Sequence, residues 1–228
     1  MKPRLSYLLA ALVGLVILSA LAASLPPNAV AQTRAAAYNL WVMASGKAAI
    51  ICTGTAILTP DGKERFLSAG HCVDDFIYSG RFWISQGSDP HTLHRVVIER
   101  WTFNGIQNWN DGDWAVFRYA SPSFKPLHSL NVCPAKPQPG EPVWSWTGPL
   151  GMEPILRTGL YSGELHFPDD PETEEAIGGM GFVDIEGAPG SSGSGVIRML
   201  NGKPCVFGVW VGGFRERPNG AIISWLPW

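Results

Sequence analysis

The first pattern in the chain that could do chemistry is a histidine with small residues before it and a cysteine after it. It lies in residues 68–72 (SAGHC), where a candidate strand ends and delivers His71 at its tip. An imidazole in such a position can take up and return a proton near neutral pH, as general acid–base catalysis requires. Taken alone, the pattern favours a histidine that only ends a strand.

The second pattern is an aspartate directly before an apolar run, in residues 111–117 (DGDWAVF). A buried carboxylate that accepts the Nδ1 proton of a histidine fixes the tautomer of the ring and stabilises the imidazolium. Asp113 stands immediately before the apolar residues, whereas Asp111 falls two residues earlier, in a candidate turn. Asp113 is therefore favoured over Asp111, although an aspartate before a strand is usually only turn chemistry.

The third pattern is a glycine-rich loop with three serines, residues 187–195 (GAPGSSGSG). Glycines permit a sharp turn that exposes a serine hydroxyl, and they let neighbouring backbone N–H groups point at one spot, as a developing oxyanion requires. The alternative is a flexible Gly/Ser linker. Strand-like sequence lies close on both sides of the loop, which argues against a linker.

An all-β fold is predicted to position these segments, because beyond Gln32 the chain shows no long apolar run at helical spacing. It shows short β-branched and aromatic runs, separated by turn residues such as Pro60-Asp61-Gly62 and the hairpin signal Asn201-Gly202. The predicted strands are 48–59, 65–69, 81–85, 93–101, 114–119, 143–147, 155–161, 182–185, 194–200, 205–211 and 221–225.

Six prolines between Ser121 and Pro142 predict an extended connector between two domains. We therefore expect an N-terminal β-barrel at 32–128, the connector at 129–142 and a C-terminal β-barrel at 143–228. This division puts His71 and Asp113 on one barrel and the glycine-rich loop on the other. The site would then lie at a domain interface, where pockets are common.

The N-terminus carries the features of an export signal at residues 1–31. Lys2 and Arg4 precede an apolar run at 7–23, and Ala29-Val30-Ala31 predicts cleavage before Gln32. The alternative is an uncleaved membrane anchor, because the apolar run is close to bilayer-spanning length. With cleavage, the protein is expected to be secreted or periplasmic, without stable membrane association.

Composition excludes several function classes. The formal net charge of −2 gives no electrostatic case for nucleic acid binding. His91 and His94 are three residues apart on a candidate strand and so face opposite sides, and no metal or cofactor is predicted. The four cysteines form no Cys-x-x-Cys pair, which favours two disulfides in an oxidising compartment.

The three patterns together resemble those of the trypsin/chymotrypsin-like serine peptidases, especially the secreted bacterial branch. In that family Ala-Gly-His-Cys carries the base, an Asp before an apolar strand orients it, and Gly-x-Ser-Gly carries the nucleophile. Residues 190–193 fit the last motif and make Ser192 the nucleophile. The order His, Asp, Ser differs from that of subtilisins and α/β-hydrolases, and the hydrolase motif Gly-x-Ser-x-Gly is absent because Ser194 occupies its last position.

The resemblance implies two six-stranded antiparallel β-barrels of the chymotrypsin type, with the active site in the cleft between them. It implies an oxyanion hole formed by the backbone N–H groups of Gly190 and Ser192. It also supports a Cys52–Cys72 disulfide, which leaves Cys133 and Cys205 as the second pair.

The expected activity is endopeptidase cleavage of a protein or peptide through an acyl-enzyme intermediate, by a monomer with a His71, Asp113 and Ser192 triad. The alternative is a catalytically inactive, protease-like binding module. Family members activated from a zymogen have an aspartate before the nucleophile, whereas here Ser191 precedes it, so activation by that ion pair is not expected.

The resemblance puts Glu186 at the base of the primary specificity pocket, with Val211 and Gly213 in its wall. A carboxylate there would favour Lys or Arg in the substrate. Two alternatives stay open: Glu186 is simply solvated, or Trp210 or Phe214 lines an apolar pocket instead.

Overall fold

The computed structural model describes residues 25–44, 46–74, 76–77, 81–103, 112–164, 180–214 and 217–228. Regular structure in these residues is almost entirely β-sheet, together with helices α1 (Pro27–Ala35) and α2 (His71–Asp74). The strands of the described residues are β1 (Ala37–Ala44), β2 (Lys47–Leu58), β3 (Glu64–Ser68), β4 (Arg81–Ser85), β5 (His94–Thr102), β6 (Trp114–Tyr119), β7 (Leu130–Val132), β8 (Pro142–Thr147), β9 (Ile155–Glu164), β10 (Met180–Asp184), β11 (Gly195–Leu200), β12 (Lys203–Phe214) and β13 (Arg217–Trp225).

Strands β1 to β6 form a closed antiparallel barrel. Neighbouring strands follow the order β1-β4-β5-β6-β3-β2, and β2 pairs back with β1. Its interior is filled by side chains that are almost completely buried, each contributing about 2 kcal/mol through the hydrophobic effect. The largest include Leu40, Ile57, Phe66, Ile84 and Phe117.

Strands β8 to β13 form a second closed antiparallel barrel in the order β12-β11-β8-β9-β10-β13, with β13 paired back to β12. Counted from its own first strand, each strand of this barrel has the same neighbours as its counterpart in the first barrel. Its core includes Val183, Ile185, Val196, Phe207 and Ile223. The predicted fold of two six-stranded antiparallel barrels is confirmed.

The proline-rich connector contains a short strand that joins the two barrels. β7 pairs in parallel with β2 of the first barrel and with β12 of the second. Directly after β7, Cys133 forms a disulfide with Cys205 on β12. None of the six prolines falls within β7, so its backbone N–H groups remain available for pairing.

Helix α1 packs on the second barrel through Thr33. The Thr33 hydroxyl accepts hydrogen bonds from the indole nitrogens of Trp146 (2.9 Å) and Trp144 (3.4 Å). Ala29, on the preceding turn, is buried as well. The predicted cleavage point before Gln32 lies within this helix, and cleavage there stays a prediction. No helix in the described part of the chain is long and apolar enough to cross a bilayer.

Candidate active site

His71 follows the end of β3 and begins α2. The residues between, Ala69 and Gly70, are buried, and their small size lets the strand end pack closely against β5 and β6. Cys72 forms the predicted disulfide with Cys52 on β2, which ties the histidine to the neighbouring strand. Both disulfides implied by the resemblance are therefore confirmed. The side chains of Cys52, His71 and Cys72 lie close enough together to suggest a metal site. Sulfurs joined in a disulfide, however, offer no thiolate to a metal.

Asp113 lies immediately before β6 and holds His71 through two hydrogen bonds. One carboxylate oxygen accepts from Nδ1 of the ring at 2.7 Å, and the other accepts from the backbone N–H of His71 at 2.9 Å. The aspartate is only 6% exposed, so water competes little for these bonds. Two bonds from one carboxylate fix the ring orientation and leave Nε2 as the nitrogen able to accept a proton.

A serine of the second barrel supports Asp113 from behind. Ser224 on β13 is completely buried, and its hydroxyl accepts a hydrogen bond from the backbone N–H of Asp113 at 2.9 Å. The hydrogen-bonded His71–Asp113 pair of the first barrel is thus anchored to the second barrel. Asp111, the alternative acid, lies outside the described residues.

The loop that contains Ser192 requires glycine at two positions. Gly190 and Gly193 have φ angles of +93° and +86°, in the left-handed region that disfavours side chains. A Cβ at Gly193 would also lie 2.1 Å from both Ser68 Oγ and the Thr53 carbonyl oxygen. The loop therefore packs directly against the strand end that leads to His71.

Ser192 is half-buried and lies beside the first barrel, because its carbonyl oxygen accepts the backbone N–H of Thr53 at 2.8 Å. Among the hydrogen bonds of the described residues, none joins the Ser192 hydroxyl to His71, whose Nε2 lies 3.7 Å from Cys72 Sγ. Catalytic hydrogen bonds are often long or misaligned without substrate and tighten when it binds. The role of Ser192 as nucleophile stays a prediction.

The backbone amides of this loop divide into two sets. Ser191, Gly193 and Ser194 donate to the carbonyl oxygens of Ala188, Trp210 and Ser191, at 2.9, 2.7 and 3.2 Å. Within the described residues, the N–H groups of Gly187, Gly190 and Ser192 have no acceptor. Gly190 and Ser192 are the residues whose amides the resemblance assigns to an oxyanion hole, and that assignment stays a prediction.

Ser191 shows how the loop is held without an aspartate at this position. It is completely buried, and its hydroxyl accepts a hydrogen bond from the backbone N–H of Ala188 at 3.2 Å. A carboxylate there would need a buried cation to offset its desolvation, whereas a hydroxyl needs only this local partner.

The residues predicted for the specificity pocket are spread between the surface and the interior. Glu186 is exposed and forms an ion pair with Arg157 on β9 at 3.0 Å. Val211 is half-buried, Gly213 is exposed, and Trp210 is buried with its ring against Gly187. The side chain of Phe214 lies outside the described part. The assignment of the pocket stays a prediction.

Sequence patterns missed Thr53 and Ser224, which connect the barrels at the site, and Thr55, which connects them further along β2. Thr55 accepts a hydrogen bond from the backbone N–H of Gly195 at 2.9 Å. Each contact joins residues more than 90 positions apart in the chain, and no local motif marks any of the three.

Two barrels, with a histidine–aspartate pair on one and a glycine-framed serine loop on the other, define the class of chymotrypsin-like serine peptidases. The profile of the trypsin-like peptidase domain matches residues 52–209. The chain belongs to that family, and its substrates are accordingly peptides or proteins.

Solved structures with the same fold come from several bacteria. The active form of the Rv3671c protease of M. tuberculosis is 19% identical with a TM-score of 0.61, over 86% of this chain and 78% of its own. Protease Anisep of Arthrobacter nicotinovorans is 14% identical with a TM-score of 0.63, over 85% and 91%. A serine endoprotease of Yersinia pestis is 16% identical with a TM-score of 0.59, over 86% and 61%. No curated protein matches the chain significantly.

Proposed function

We propose that this peptidase is an endopeptidase that works through an acyl-enzyme intermediate, with Ser192, His71 and Asp113 as its triad. The proposal is supported by the doubly hydrogen-bonded His71–Asp113 pair, next to a loop in which the N–H groups of Gly190 and Ser192 have no acceptor among the described residues. A buried carboxylate bound to Nδ1 favours the tautomer that accepts a proton at Nε2.

In the proposed reaction Ser192 Oγ attacks the substrate carbonyl carbon while Nε2 of His71 takes the hydroxyl proton. The carbonyl oxygen becomes an oxyanion, which the N–H groups of Gly190 and Ser192 stabilise. The imidazolium then protonates the leaving amine as the C–N bond breaks. Water, deprotonated by His71, then attacks the carbonyl carbon of the ester. The bond from this carbon to Ser192 Oγ breaks, the carboxylic acid product leaves, and His71 returns the proton to Ser192 Oγ.

Hydrolysis of an internally quenched peptide library tests the proposal, with Ser192→Ala as the matched control. The wild-type protein should cleave internal peptide bonds, located by mass spectrometry of the products, and the variant should lose this activity. Cleavage only at chain ends would exclude an endopeptidase. Intact peptides with both proteins would favour the alternative, a catalytically inactive binding module.

Specificity and localisation belong to the same proposal. The exposed carboxylate of Glu186 supports a preference for Lys or Arg before the cleaved bond, although Arg157 already pairs with it. The same peptide library tests this preference against an apolar one. The two disulfides support a secreted or periplasmic protein, because such bonds persist in oxidising compartments. Fractionation of the native host and the mass of the intact protein test the compartment and the N-terminus.

A further inference from the structure

The Thr53 side chain is completely buried between the barrels and uses its hydroxyl both as donor and as acceptor. It follows Cys52 on β2. Its Oγ1 donates to the carbonyl oxygen of Gly190 at 2.8 Å and accepts from the backbone N–H of Gly148 at 2.9 Å. A hydroxyl has one proton to donate, so its donor capacity is spent entirely on the serine loop.

The backbone of Thr53 reaches the same loop. Its N–H donates to the carbonyl oxygen of Ser192 at 2.8 Å. One residue of the first barrel therefore holds the carbonyls of Gly190 and Ser192, the two residues whose amides are assigned to the oxyanion hole.

These contacts fix the peptide planes on both sides of Gly190. The Gly190 N–H belongs to the plane that carries the Pro189 carbonyl, and that carbonyl accepts the N–H of Leu150 at 2.7 Å. Leu150 lies in the turn that begins at Gly148, which Thr53 also binds. Gly190 would otherwise rotate freely about both of its backbone dihedrals. The hydroxyl of Thr53 thus restrains the following plane directly and the preceding plane through the turn.

We propose that the Thr53 hydroxyl is a positioning group that keeps the Gly190 amide aimed at the oxyanion. The catalytic part of this proposal rests on the proposed function. Thr53 touches neither the substrate nor the reacting atoms; it acts through Gly190. A loop free to rotate its amide away would lose one of two oxyanion donors, and loss of one such donor typically lowers kcat by about 100-fold or more.

Thr55 provides a matched control. It lies two residues further along β2 and is equally buried, and its hydroxyl also bonds across the barrels, to the N–H of Gly195. Among the described residues, it makes no hydrogen bond to Gly190 or Ser192. Substitution by valine at either position removes a buried hydroxyl of the same shape and should lower thermal stability by a similar amount.

The test compares Thr53→Val, Thr53→Ser and Thr55→Val in the full chain, by kcat and KM on a quenched peptide and by the NMR order parameter of the Gly190 N–H. Thr53→Val should lower kcat by about 10- to 100-fold with little change in KM and should lower the order parameter at Gly190. Thr53→Ser should recover most of kcat, and Thr55→Val should stay near the wild-type value. If Thr53→Val does not fold, Thr53→Ala removes the same hydroxyl with less steric demand.

Equal kcat losses in Thr53→Val and Thr55→Val would overturn the proposal, since both would then act through stability alone. An unchanged order parameter at Gly190 in Thr53→Val would overturn it as well. Absence of hydrolysis by the wild-type protein would contradict the proposed function, and the order parameter would still decide whether Thr53 restrains the loop.

Discussion

The two barrels share one pattern of strand neighbours but hold their functional residues in different ways. In the first barrel, His71 and Asp113 are bonded directly to each other by two hydrogen bonds. In the second, the loop of Ser192 is shaped by glycines and fastened from outside, by Thr53 of the first barrel. Barrels of equal topology therefore hold their functional residues differently. The ring of His71 is oriented by Asp113 of its own barrel, whereas the carbonyls of Gly190 and Ser192 are held across the interface.

The largest loss of kcat is expected when the hydrogen-bonded His71–Asp113 pair of the first barrel is broken. Asp113→Asn should lower kcat by roughly 10⁴-fold, the size found for this change in the serine peptidase triad, because the amide stabilises the wrong histidine tautomer. Steady-state kinetics measure the loss. Asp184→Asn, at an exposed aspartate on β10, is the control and should leave kcat unchanged. Near-normal turnover in Asp113→Asn would exclude Asp113 from the triad.

The two disulfides should differ in their effects: loss of one should lower stability more, and loss of the other should lower turnover more. Replacing Cys133 and Cys205 by serine opens the bridge with the larger sequence separation, 72 residues, and should cost about 4 kcal/mol of unfolding free energy while kcat is kept. Replacing Cys52 and Cys72, 20 residues apart, should cost about 3 kcal/mol but should lower kcat more, because this bridge adjoins His71.

Urea unfolding of both double variants measures the loss of unfolding free energy, and peptide kinetics measures the loss of kcat. A larger kcat loss in the variant without Cys133 and Cys205 would contradict the view that the first barrel holds the base locally.

A buried arginine gives the second barrel a pH dependence of its own. Arg198 on β11 is buried and binds Glu141 at 2.8 Å. Burial alone would raise the pKa of Glu141, but hydrogen bonds from the Gln138 N–H and the Arg198 guanidinium outweigh it and lower the pKa below its ordinary value.

A carboxyl with a lowered pKa in the folded state stabilises the fold above its ordinary pKa, and this contribution fades as the pH falls through the folded-state value. Glu141→Gln should therefore flatten the acid side of the stability curve and cost about 2 kcal/mol at neutral pH. Unfolding across a pH series measures both effects, and an unchanged acid slope would contradict the role of this pair.

The smallest effect concerns the contact of α1 with the second barrel. Thr33→Val leaves the indole N–H groups of Trp144 and Trp146 without their acceptor and should cost about 1 kcal/mol. Thermal unfolding measures the change, with the exposed Thr92→Val as control. A stability equal to that of the control would show that α1 adds nothing through this hydroxyl.

Much of the fold was predictable from period-two patterns and turn residues. Each of the eleven predicted strands overlaps an observed one, and the Asn201-Gly202 hairpin joins β11 to β12. β1 was missed because residues 37–42 are all buried, so the strand shows no alternation. α1 was missed because its residues were assigned to the export signal and its border.

The site also has a part that was predictable from sequence and a part that was not. Local motifs indicate His71, Asp113 and the serine loop, because neighbouring residues determine a tight loop or a strand end. Thr53 and Ser224 act across the barrel interface, through partners 137 and 111 residues away, and no local pattern encodes them. The shared connectivity of the barrels left no repeat in the sequence, because strand pairing requires alternation and not particular side chains.

Labelling with a fluorophosphonate probe, followed by peptide mapping, tests most directly whether the barrels bring the imidazole and the serine together. We expect a single adduct on Ser192 that is lost in His71→Ala, since the probe reacts with a serine only when a base activates it. An adduct on Ser191 or Ser194, labelling that survives His71→Ala, or no labelling of the folded protein would contradict this expectation.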